Sequence, residues 1–65
     1  MKLKKLVDNN KSALRWCKTR RAKIIFEDYK NEIICGIYLG KRVKYGATLI
    51  KTVNEWIKYF NKEKE

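Results

Sequence analysis

Near Thr19 the spacing of apolar residues changes from steps of three and four to steps of two, and beyond Ala47 it changes back. Side chains repeat every 3.6 residues on a helix and every 2.0 on a strand, so the two changes place strands between helices. Neither an all-helical nor an all-β fold accommodates that pattern. The sequence predicts an α+β fold with one sheet.

On the N-terminal side Leu3, Leu6, Val7, Asn10, Leu14 and Cys17 recur at the spacing of one helical face. Asp8-Asn9-Asn10 interrupts that face, because short polar side chains compete for backbone hydrogen bonds inside a helix and serve well at its start. Two arrangements fit: one long helix, or a short element followed by a helix from Lys11. In the middle, Ala22 to Tyr29 and Glu32 to Leu39 are rich in β-branched and aromatic residues, and Lys30-Asn31 supplies the turn between them. A two-residue loop there sets Tyr29 opposite Glu32, Phe26 opposite Cys35 and Ile24 opposite Ile37. Ile24, Phe26, Ile33, Cys35, Ile37 and Leu39 then share the face expected to be buried.

The next turn, Gly40-Lys41-Arg42, decides the third strand. A three-residue loop keeps Val43, Tyr45 and Ala47 on the apolar face, whereas a two-residue loop inverts them, so the hydrophobic pattern predicts the longer loop and a strand over Arg42 to Ala47. Thr48 then caps a helix whose stripe is Leu49, Ile50, Val53, Trp56, Ile57 and Phe60, with Lys51, Asn54, Glu55, Lys58 and Lys62 turned to water. Residues 62–65 are expected to fray. The predicted architecture is an N-terminal helix, a three-stranded antiparallel meander and a C-terminal helix on one sheet face. It forms a single domain over 1–65, divided into a basic helix or arm at 1–21, a sheet at 22–47 and a helix at 48–62. A chain of 65 residues buries about 60 % of its unfolded surface and is held by only ~3–5 kcal/mol.

The chemistry for catalysis is sparse. There is no histidine, and Cys17 and Cys35 are isolated thiols rather than paired metal ligands. Gly36, Gly40 and Gly46 lack the spacing of a phosphate loop. Glu27, Asp28, Glu32 and Glu55 fall at turns and helix surfaces, where they read as solvated charges. No catalytic residue, metal or cofactor is expected, and both cysteines read as small inward-facing hydrophobes. No apolar run suffices for a signal peptide or membrane span, so a reduced, cytoplasmic protein is expected. The N-terminal amphipathic face is narrow and broken by Asn10, so no stable membrane association is expected. Frequent Lys, Ile and Asn match AT-rich coding, as in low-GC bacteria, archaea, or their phages and viruses.

Charge is the dominant functional signal. The chain carries 17 basic and 7 acidic side chains, a formal +10, and residues 1–23 hold +8 of it, from nine basic residues against Asp8. Because fields between exposed charges fall off within roughly 8–10 Å, such clustering marks a face for a polyanion better than net charge does. Arg15, Lys18, Arg20, Arg21 and Lys23 are the candidate phosphate contacts, with Trp16 embedded among them. The outward sheet face is expected to add Tyr29, Tyr38, Arg42 and Lys44 beside Ile25 and Ile34, interleaving rings and cations.

A meander followed by a helix resembles the small sheet domains that read DNA at the N-terminus of some tyrosine integrases. The order helix, meander, helix is similar to the double-stranded-RNA-binding domain, whose second helix opens with a lysine run where this chain has Thr48-Leu49-Ile50-Lys51-Thr52. These likenesses concern element order only and imply a nucleic-acid partner. The sequence thus points to a small, basic, non-enzymatic accessory or regulatory protein whose partner is nucleic acid, DNA before RNA. The alternative is an inhibitor of a phage or mobile element that docks on an acidic host or defence protein. Ile25, Ile34 and Tyr38 would be its anchors, or the seam of a homodimer through the outer sheet face.

Overall fold

The computed structural model describes residues 4–63. Lys2 and Leu3, and the end of the expected frayed tail at residues 64 and 65, lie outside them. The elements run α1 (Asn10–Thr19), β1 (Lys23–Tyr29), β2 (Glu32–Leu39), β3 (Arg42–Gly46) and α2 (Leu49–Glu63). The three strands form one antiparallel sheet in the order β1-β2-β3. The α+β architecture is therefore the one the sequence predicts.

Of the two N-terminal arrangements, the shorter helix is present. Asn9 caps it: its extended backbone (φ −150°) stops the helix, and its side-chain oxygen accepts from Ser12 N at 2.8 Å. Residues 4–8 instead pair with α2 through two asparagines. Val7 N donates to Asn54 Oδ1 (2.8 Å) while Asn54 Nδ2 donates to Val7 O (2.9 Å), and Asn61 makes the same reciprocal pair with Lys4 (2.9 and 3.0 Å). Asn54 and Asn61 are two helical turns apart, so one face of α2 holds the segment. Asn54, expected in water, is thus half-buried. The expected apolar face of α1 is also out of phase. Residues 4–8 are not helical, so Ala13, Trp16 and Cys17 point inward and Leu14 is left 50 % exposed.

Residues from α1, β2 and α2 make the core: Ala13, Trp16 and Cys17, then Cys35 and Ile37, then Val53, Trp56 and Ile57. Ile24 and Leu39 pack against it. Phe26 and Ile33 share the sheet face of Cys35 but are 63 % and 67 % exposed, because they lie toward the hairpin end and outside that cluster.

The first turn has the predicted two residues, with positive φ at Lys30 and Asn31, the pattern of a type I′ hairpin. The second departs from prediction. Leu39 pairs with Arg42, Ile37 with Lys44 and Cys35 with Gly46, so the loop is two residues and β3 is inverted. Turn chemistry explains it: Gly40 adopts φ +63°, and Gly-X is the sequence that a two-residue type II′ turn requires. The inner face of β3 is then Arg42, Lys44 and Gly46. At Gly46 the strand approaches α2 so closely that a Cβ would lie 2.5 Å from Thr52 Oγ1 and 3.1 Å from its nitrogen. Thr48 opens α2 as predicted, accepting from Lys51 N at 3.1 Å. No described helix is long and apolar enough to cross a membrane.

Candidate functional site

The basic residues of the first third separate into two groups. Lys11, Arg15 and Lys18 are exposed and recur at four and three residues, so they form a stripe on the side of α1 opposite Ala13 and Cys17. Arg20 and Arg21 belong to the helix end. There Ala22 N donates to Cys17 O (2.9 Å) and Arg21 N to Lys18 O (3.3 Å), the paired bonds of a Schellman cap. Its left-handed position, which glycine fills most often, is held by Arg21 at φ +54°. For a side chain with a Cβ that conformation costs ~1–2 kcal/mol. Arg20 is committed to structure: its guanidinium lies 4.4 Å from the Trp16 ring centroid and its Nη1 donates to Thr19 Oγ1 at 3.1 Å. Trp16 is 8 % exposed, so it is core and offers no open ring.

Antiparallel pairing brings the start of β1, the end of β2 and the start of β3 to one end of the sheet. Arg21, Lys23 and Lys41 gather there. Glu27, Asp28 and Glu32 gather at the opposite end, around the first turn, with Lys30 the one cation among them, so the sheet is electrically polar along its strands. At the basic end Arg21, Lys23, Ile25, Tyr38 and Gly40 line an open groove of about 620 Å³ on the outer face. Three of the predicted contacts, Arg21, Lys23 and Tyr38, are thereby brought together.

Arg42 and Lys44 are not on that face. The inverted strand turns them toward α2, where Lys44 Nζ sits 4.8 Å from the Tyr59 centroid and 5.4 Å from that of Trp56. Arg42 donates to Tyr59 Oη and its guanidinium approaches the same ring. A hydrogen bond to Glu63, burial and the Glu63 charge raise the Tyr59 pKa, while Arg42 opposes them. The rings accept the cations on a face where apolar residues were expected. Tyr29 is remote too, 57 % exposed beside the first turn with Lys30 Nζ 5.3 Å from its ring centroid.

Tyr45, read from sequence as a core residue, is outward and 45 % exposed. Interaction with the neighbouring Tyr38 hydroxyl raises its pKa, with burial and the charges of Tyr38 and Glu27 acting in the same direction. The Gly-X turn was the signal that could have placed it there.

Both thiols are free and buried. Burial raises the Cys17 pKa, helped by Cys35 and opposed by Arg20; burial raises that of Cys35, opposed by a hydrogen bond from Thr52. Above the ordinary thiol value of 9.0 the unfolded chain loses these protons first, so the folded state holds more of them and stability falls as pH rises. Urea midpoints are therefore expected to drop as pH rises above 9.0, with the raised Tyr45 and Tyr59 acting in the same direction; a midpoint rising through that range contradicts the burial. Among the described residues no three His, Cys, Asp or Glu side chains gather as a metal site. No family model, curated protein or solved structure matches the chain.

Proposed function

We propose that this protein binds nucleic acid, DNA before RNA, as a non-enzymatic accessory or regulatory factor acting through phosphate contacts at the basic end of its sheet. One observation carries the reading: an arginine takes the left-handed position that glycine would fill at lower cost, and it lines a groove with Lys23 and Tyr38. Left-handed backbone at an exposed cation also occurs at Lys30 in the first turn, so it is the groove shared with Lys23 and Tyr38 that marks Arg21 as a contact. Each phosphate neutralised releases counterions, so fluorescence anisotropy of labelled DNA across a salt series tests the proposal. Contacts from Arg21, Lys23 and Lys41 give a slope of about −2 to −3 in log K against log salt. Absent binding at low ionic strength, or binding indifferent to salt, rejects it.

A protein partner is the second reading, favoured by the exposed apolar pair Phe26 and Ile33. Nuclease-treated lysate discriminates: one retained protein that Phe26→Ser with Ile33→Ser releases supports this reading, and loss of every bound protein on nuclease treatment supports the first.

A further inference from the structure

None of the outward side chains of the sheet joins the core, and they fall into rows set by the strand register. Lys23, Tyr38 and Val43 make the row at the basic end, Ile25, Gly36 and Tyr45 the next, and Glu27 with Ile34 the third. We propose that this face binds single-stranded nucleic acid, with bases stacked on Tyr38 and Tyr45 and the backbone on Arg21 and Lys23; the proposal rests on the nucleic-acid reading above.

The second row is shaped as a platform. A Cβ at residue 36 would lie 2.8 Å from Tyr45 Cε1 and 3.0 Å from both Tyr45 Cδ1 and Ile25 Cγ1. Only glycine lets the tyrosine ring and the isoleucine close over the central strand. Tyr38 lies in the adjacent row on the neighbouring strand, so the two tyrosines are diagonal neighbours on this face. Stacking on such rings needs unpaired bases, because a duplex keeps its base faces against one another.

Charge decides against a duplex as well. Lys23 and Glu27 are four residues apart on β1, about 13 Å at the rise of a strand, and the major groove is about 12 Å wide. A duplex whose groove crosses the strands, with one phosphate wall on Lys23, sets the other against Glu27, with Glu32 beyond it. A single backbone on the basic row, its bases lying across Tyr38 and Tyr45, avoids that repulsion.

Anisotropy at matched salt with labelled oligothymidine, oligouridine and a mixed-sequence duplex tests this. Oligothymidine or oligouridine is expected to bind at least about tenfold tighter than the duplex, and the better of the two identifies the polymer. Tyr38→Leu and Tyr45→Leu are each expected to lose about tenfold in single-strand affinity, while Tyr38→Phe and Tyr45→Phe, which keep the ring, retain it. Folding of each variant is checked by circular dichroism, and the phenylalanine pair carries the test if a leucine variant unfolds. Equal or tighter duplex binding, leucine variants that bind like wild type, or phenylalanine variants that lose binding overturn the single-strand site and leave nucleic-acid binding standing. Failure of every polymer to bind overturns both.

Discussion

Trp56→Ala is expected to abolish the cooperative unfolding transition and leave an unfolded chain in buffer. Trp56 is 2 % exposed, and its indole N–H donates to Ile37 O at 3.0 Å, so one side chain joins α2 to the central strand. Its ring stacks on Phe60 (centroids 5.7 Å apart, planes at 23°) and meets Tyr59 edge-on at 5.6 Å. Lys44 also lies over that ring, so the truncation removes the surface that makes a lysine tolerable on the inner face of β3. Emptying such a site costs ~3–5 kcal/mol, which equals the whole stability expected of a chain this size. Trp56→Phe keeps most of the packing and loses the hydrogen bond, so it should retain a urea transition displaced by only ~1–2 kcal/mol. A Trp56→Ala protein that unfolds cooperatively within about 1 kcal/mol of wild type would show that the core does not depend on this residue.

The same side chain shows why the sequence disclosed part of the fold and concealed the rest. α2 was legible because its stripe is wide and begins at a capping threonine, so periodicity and cap agree. The first hairpin was legible because Lys30-Asn31 and the alternation on either side point to one register. At the second hairpin the two signals conflict. Apolar alternation asked for Val43 and Tyr45 inward, whereas Gly40 asked for a two-residue turn, and the turn prevailed. It prevailed because Trp56 and Tyr59 offer π faces to Arg42 and Lys44, an interaction between residues 12 to 17 apart that no local pattern displays. Asn54 was concealed for the same reason: on a helix it reads as solvent-facing, and its partner is a backbone group 47 residues away, as that of Asn61 is 57 residues away. Of the candidate site, the clustering of charge before the sheet was plain in the sequence. The division of that cluster into a helix stripe, a structural cap and a groove lining was not, since it depends on where α1 ends.

That division makes the charge-reversal pair Arg21→Glu with Lys23→Glu the most consequential test of binding. For a single strand each neutralised phosphate contributes a slope of about 0.7, so at about 0.1 M salt each contact is worth a factor of about 5. Losing two contacts costs about 25-fold, and two carboxylates facing the same phosphates add a repulsion of similar size, for a total above about 100-fold. The salt slope should shrink by about 1.4 in the same experiment. Arg15→Glu with Lys18→Glu changes the formal charge equally, but on the α1 stripe rather than in the groove. It therefore acts through the general field of the protein and should cost about tenfold or less. If the helix pair costs more than the groove pair, binding belongs to α1 and the sheet end is not the site. Arg21→Gly separates contact from folding. Glycine relieves the left-handed backbone at φ +54° and should hold or raise the urea midpoint, while binding falls by about fivefold. A residue retained for structure would lose stability on that change, and a residue retained for a ligand loses only the ligand.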